Sequence, residues 1–152
     1  MDRLDRKILR LLQEDATLAV ADVAKKVGLS TTPCWRRIQK LEEEGVIKRR
    51  VAILDHEKVN VRVTVFVSIR TNSHSHEWLR RFSEVIQEFP EVVEFYRMSG
   101  DVDYLLRVAV GSMADYDDFY RRLIAEVPLK NVTSRFAMER VKTTTAYPLP
   151  AA

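Results

Sequence analysis

The chain has 152 residues, 25 Lys/Arg against 22 Asp/Glu for a formal net charge of +3, and 46% hydrophobic residues. That is apolar material for one ordinary or two small folded domains, and no window stays apolar long enough to span a bilayer. One cysteine, Cys34, excludes an internal disulfide, and three histidines (His56, His74, His76) without a second thiol make no structural zinc site, so no metal or cofactor is expected.

The opening "MDRLDRKILR" scatters charges among apolar positions and lacks the apolar core of a signal peptide, which makes the expected location cytoplasmic. In "LDRKILRLLQED", Leu4, Ile8, Leu11 and Leu12 fall at i, i+4, i+7 and i+8, the stripe of a first amphipathic helix. A second, short helix fits "AVADVAKKV", with Val20, Val23, Ala24 and Val27 on one side and Gly28 to end it in a left-handed conformation. Ser30 can cap a third helix, and Pro33 falls in its first turn, where a missing N–H costs nothing.

At about 100° per residue, Cys34, Ile38 and Leu41 share one face of this third helix. Thr32, Arg36, Gln39 and Lys40 take the opposite face, with Trp35 at the border. Cys34 therefore reads as a small core thiol rather than a nucleophile, since every histidine lies beyond residue 55. The exposed face has two readings, a solvated surface or a helix that hydrogen-bonds base edges and phosphates. Ala24 and Gly28, a small residue at a helix crossing and a glycine at the turn, favour a helix-turn-helix and hence the second reading. The candidate DNA contacts are Ser30, Thr31, Thr32, Trp35, Arg36, Arg37, Gln39 and Lys40.

Past Gly45, "VIKRRVAIL" predicts a strand or short wing, with Lys48, Arg49 and Arg50 as phosphate candidates, and "DHEKVN" a turn-forming connector. Residues 1–60 hold 13 Lys/Arg against 10 Asp/Glu, and residues 61–152 hold 12 against 12, so the basic excess lies in the first part.

From residue 61 the period changes to two. "VRVTVFVSIR" predicts a strand, followed by a helix carrying Trp78, Phe82, Val85, Ile86 and Phe89 and ending near Pro90. "VVEFYRMS" and "DYLLRVAV" predict two strands joined at Gly100 and Asp101. Ser112 can cap a helix with Tyr116, Phe119, Tyr120, Leu123, Ile124 and Val127, and "VTSRFAMERV" predicts the last strand. The order β, α, β, β, α, β is the ferredoxin-like pattern, two helices covering one face of a four-stranded antiparallel sheet. Phe66, Phe95, Leu105 and Ala137 are expected on the other face, which predicts a homodimer through it. The fold class is thus α+β: an N-terminal helix-turn-helix, winged-helix-like domain (1–50), a linker (51–60) and a C-terminal ferredoxin-like βαββαβ domain (61–152). No Gly-rich phosphate loop, metal-ligand cluster or acid/base pair stands out in the second part, so an enzyme is not expected.

The segments "LDRKILRLLQED", "VGLSTTPCWRRIQKLEEEGVI", "MSGDVDYLL" and "NVTSRF", in that order, resemble the Lrp/AsnC, or feast/famine, transcriptional regulators of bacteria and archaea, over nearly the whole chain. The resemblance implies a DNA reader joined to an amino-acid-sensing domain that pairs into dimers and assembles further into tetramers or octamers. It implies an effector site between dimers near Met98, Ser99, Gly100, Asp101, Asp103 and Tyr104, with Val132, Thr133 and Ser134 contributed by a neighbouring chain. On the residues alone "SGDVD" reads first as a polar hairpin turn. The expected partners are double-stranded DNA and a free amino acid; the expected rival is an architectural DNA-binding protein without an effector.

Overall fold

The structure is a computed structural model that describes residues 1–150, so the last two positions of the expected 61–152 domain lie outside the described residues. The described chain divides into two compact units, one made of Met1–Ile53 together with residues 141–150, the other of Leu54–Arg140.

The first unit is built on α1 (Arg3–Glu14), α2 (Val20–Val27) and α3 (Thr31–Glu43). Asp2 and Asp5 cap α1 reciprocally, each carboxylate accepting the other's backbone N–H. Gly28 ends α2 at φ 77°, ψ 36°, and the Leu29 N–H reaches back to the Ala24 carbonyl. Ile8, Leu9, Leu12, Val23, Ala24, Val27, Cys34, Ile38 and Leu41 make one buried core. Leu9 joins it where the sequence stripe placed Leu4 and Leu11, both only half-buried, because two helices pack on α1 and widen the face it must bury.

The C-terminal tail packs with the helices, for residues 141–150 belong to the first unit. Gln13 grips the tail backbone as a strand neighbour would: its Nε2 donates to the Tyr147 carbonyl and its Oε1 accepts the Tyr147 N–H, both at 2.9 Å. Arg10 donates to the Leu149 carbonyl at 3.1 Å, and the Leu149 side chain packs on the helical core. Leu149→Ala removes a half-buried side chain and is expected to cost about 1 kcal/mol, read as faster hydrogen exchange in α1 with exchange in the second unit unchanged.

Residues 46–54 run as irregular chain, not as the strand expected from their β-branched residues, and Val51, Ile53 and Leu54 are exposed. A strand needs a hydrogen-bonded neighbour, and among the described residues none pairs with this segment.

The second unit runs β1 (Val63–Arg70), α4 (His76–Gln87), β2 (Val92–Arg97), β3 (Tyr104–Val110), α5 (Met113–Glu126) and β4 (Asn131–Phe136). Ser75 and Ser112 cap the helices by accepting the N–H groups of Trp78 and Asp115. The strand order is β2-β3-β1-β4, antiparallel throughout, as the ferredoxin-like pattern requires. Val65, Val67, Ile69, Leu106 and Val108 from the two central strands pack against Phe82, Ile86, Phe119 and Leu123 of the helices.

Two strand expectations need correction. β4 is shorter than "VTSRFAMERV", ending at Phe136 with one further bond from the Ala137 N–H to the Thr64 carbonyl. Phe95 lies on the helix-covered face, its ring edge-on to Phe82 at 5.4 Å and beside Tyr104 at 5.7 Å. Counting by two from Val92 would turn it outward, but a bulge between Val92 and Glu94 inserts one residue and flips the parity. Tyr96 takes the outer place, pairing with Leu105.

Candidate nucleic-acid interface and ligand loop

The third helix is clamped by its buried side, since Cys34, Ile38 and Leu41 at i, i+4 and i+7 are at most 3% exposed. Burial raises the Cys34 thiol pKa, which leaves it protonated and inert, a packing group. The opposite side is open. Thr32, Arg36 and Lys40 succeed one another at i, i+4 and i+8 along it, all exposed, with Gln39 half-buried beside them and Trp35 exposed at its edge. Lys40 makes a loose pair with Glu44 at 3.6 Å, both side chains in solvent, a contact too weak to withhold the ammonium from a phosphate. Thr31 is exposed in the first turn, and Ser30 occupies the N-cap position in extended conformation without donating or accepting a side-chain cap bond, contrary to the expected capping role. Beyond the helix Lys48 and Arg49 are exposed, whereas Arg50 pairs with Glu42 at 2.9 Å.

Arg37 departs from the other candidates. Its Nη1 donates to Asp2 Oδ2 and to Asp5 Oδ1, each at 2.7 Å, so a presumed DNA contact is committed within the protein. The Asp5 N–H, foremost, and the Arg37 guanidinium hold the Asp2 carboxyl at about 2, down from 3.8. A depressed carboxyl contributes stability above 3.8 and loses it as the pH falls through about 2, so this contact is constant across physiological pH.

The second unit places "SGDVD" in the β2–β3 hairpin, with Met98, Ser99, Gly100 and Asp101 exposed and Gly100 at φ 102°, a conformation that favours glycine. The Met98 N–H donates to the Asp103 carbonyl and closes the hairpin. Asp103 joins it to the loop after β1: its N–H bonds the Ile69 carbonyl, and its Oδ2 accepts the Thr71 N–H at 2.8 Å. The other oxygen, Oδ1, stands 3.9 Å from His74 Nδ1. Thr71 and His74 escaped the sequence reading, because nothing in "RTNSHS" marks a loop as the partner of a carboxylate 32 residues after Thr71.

Tyr104 is corrected from a ligand-lining residue to a core one, 3% exposed among Trp78, Phe82 and Phe95. Of the three β4 candidates, Val132 and Ser134 face the helices, Val132 packed on the core and Ser134 Oγ hydrogen-bonded to the Tyr116 hydroxyl. Thr133, opposite Ser68, faces the uncovered side. Ile69 sits between Tyr104 and Val132 in register, so the hairpin loop and the start of β4 share one end of the sheet. The three residues of β4 therefore cannot all line one pocket.

Residues 64–147 match the Lrp/AsnC ligand binding domain, and residues 1–48 match a winged helix-turn-helix DNA-binding domain. The chain belongs to the Lrp/AsnC family of transcriptional regulators. It is 51% identical to the DNA-binding transcriptional activator DecR of Escherichia coli K12, an alignment covering 98% of this chain and 99% of that one. The crystal structure of an AsnC family transcriptional regulator from Agrobacterium tumefaciens, 75% identical, superposes with a TM-score of 0.95 over 97% of both chains. A transcriptional regulator from Neisseria meningitidis, 29% identical and solved in complex with L-Met, superposes with a TM-score of 0.91 over 97% of this chain and 96% of that one.

As an Lrp/AsnC regulator, the chain carries its DNA-binding helices and its ligand-binding domain in one sequence. Among the described residues no group of three or more His, Cys, Asp or Glu is arranged to hold a metal ion, and no helix is long and apolar enough to cross a membrane.

Proposed function

We propose that α3 lies in the DNA major groove, where Arg36 and Gln39 read base edges and Thr31, Thr32 and Lys40 with Lys48 and Arg49 hold the backbone, and that a free amino acid bound in the second unit tunes this binding. The carrying observation is the exposed line Thr32, Arg36 and Lys40 on a helix whose opposite side is locked in the core. Donors on one line suit a groove, and exposed cations suit phosphates.

The reader occupies residues 1–50, the linker 51–60, and the sensing domain the remainder up to the tail. The regulator acts in the cytoplasm, by binding alone. Two copies join through the uncovered sheet face, where Phe66, Tyr96 and Leu105 sit in a frame set by the Arg107–Glu94 ion pair and by Arg135 on Ser68. The joined copies place two α3 helices in successive major grooves, and dimers assemble into tetramers or octamers. The effector sits against Ser99, Gly100, Asp101 and Asp103. The Asp103 carboxylate meets its ammonium, and backbone N–H groups of the hairpin meet its carboxylate. Met98 lines the side-chain position, and Thr133 of a neighbouring chain closes the site. Support for an amino acid comes from the ligand-binding domain match and from the L-Met bound by the Neisseria relative.

Thermal unfolding against the twenty amino acids tests the effector. A ligand at about 100 times its Kd stabilises the native state by about 2.7 kcal/mol, so one chemical subset should raise the midpoint. Asp103→Asn keeps an acceptor for the Thr71 N–H but loses the charge, and is expected to abolish the rise while the unliganded midpoint stays close to that of the parent. No rise with any amino acid would favour the effector-free architectural role.

A further inference from the structure

The four hydrogen bonds at the start of the chain form a closed set. Asp2 Oδ1 accepts the Asp5 N–H, Asp5 Oδ2 accepts the Asp2 N–H, and the two remaining oxygens both accept from Arg37 Nη1 at 2.7 Å. The cap that begins α1 is thus also the acceptor for a guanidinium on α3, more than 30 residues away in sequence. The Asp5 side chain is 15% exposed and that of Arg37 32%, so water competes for the Arg37–Asp5 bond less than at an open surface pair, whereas the Asp2 side chain is 54% exposed. Pro33, Arg36 and Lys40 line the same groove as the three charged residues.

For a DNA reader this arrangement gives up a cation. The two carboxylates cancel the charge that Arg37 would otherwise offer a polyanion, while Arg36 and Lys40 in the same groove keep theirs. The benefit has to be geometric. The core holds α3 along one side, through Cys34, Ile38 and Leu41, and Arg37 adds a fixed point off that line, on the turn that carries Arg36. A roll of α3 by about 10–20° would exceed the tolerance within which a bidentate contact forms.

We propose that Arg37, Asp2 and Asp5 form a positioning clamp that sets the roll of α3 on α1, so that Arg36 and Gln39 meet base edges while Arg37 itself touches no phosphate. This rests on the reading of α3 as the recognition helix.

The test uses the full chain and two duplexes of equal length, one selected by the parent protein from a random-sequence pool and one of unrelated sequence. Affinities are measured across a salt series. Asn caps helices as well as Asp, so Asp2→Asn with Asp5→Asn keeps one acceptor oxygen per side chain for the cap and removes both the charges and the oxygens that accept from Arg37. This double variant is expected to bind the selected duplex about tenfold more weakly, although it has lost two negative charges, and the unrelated duplex no more weakly than before. Arg37→Ala is expected to lose a similar factor with the salt slope unchanged, whereas a lost phosphate contact would lower that slope by about 0.9. Combining the three changes should cost no more than either set alone. Equal or tighter binding of the selected duplex by the Asn double variant, or a salt slope lowered by about one in Arg37→Ala, overturns the clamp. Arg36→Ala separates the two levels: if it weakens selected binding while the Asn variant does not, only the clamp fails; if Arg36→Ala changes nothing, the assignment of α3 fails with it.

Discussion

Replacing Arg36 with alanine is expected to cost about 1–3 kcal/mol at the cognate site, a loss of tenfold or more, with affinity for unrelated duplex much less changed. The size follows from geometry. Arg36 is exposed at the middle of the line Thr32, Arg36 and Lys40, and among the described residues its guanidinium has no ion pair, so its fork of donors is available to a guanine edge. Lys48→Ala and Arg49→Ala should behave differently. Each lies beyond the helix, and its loss should weaken all sequences alike and lower the salt slope by about one per residue. Competition binding with selected and unrelated duplexes separates the two patterns, and equal losses on both duplexes for Arg36→Ala would remove it from base recognition.

The largest stability effect is expected at Phe82. Its side chain is fully buried under the sheet, stacked on Trp78 at 4.8 Å and in contact with Phe95 and Tyr104. Truncation to alanine leaves a cavity that three large rings cannot collapse into without leaving their own contacts. About 3–5 kcal/mol should be lost, a large part of what a domain of this size has in reserve. The two units have separate cores, so hydrogen exchange should rise across β1 to β4 while α1 to α3 keep their protection. A small loss spread over both units would contradict the division into two cores.

Helical period and caps carried most of the fold into view before the structure. Cys34, Ile38 and Leu41 are buried as their spacing predicts, Gly28 has the left-handed backbone its place demanded, and alternation in "VTVFVSI" sorted the two faces of β1. What failed depends on contacts the linear pattern does not hold. One inserted residue at the β2 bulge turned Phe95 inward and Tyr96 outward. Tyr104 has a polar tip suited to a ligand, yet three aromatic neighbours claim the ring. Arg37 looks like its neighbour Arg36, and only the folded position of Asp2 and Asp5 distinguishes them. The tail from residue 141 has no period at all, and its place is set by bonds from the Gln13 side chain to the Tyr147 backbone and by the single side chain of Leu149 on the helical core. The hairpin "SGDVD" was legible as a turn, but its link through Asp103 to Thr71 and His74 was not.

The central claim is that an amino acid held near Asp103 and DNA held by α3 are coupled through one protein. The direct measurement is the affinity of the full chain for a selected duplex, with and without each of the twenty amino acids at saturating concentration. Coupling predicts that one chemical subset changes the affinity by roughly fivefold or more, and that the duplex changes the affinity for that amino acid by the same factor. An affinity for DNA that no amino acid alters would contradict it.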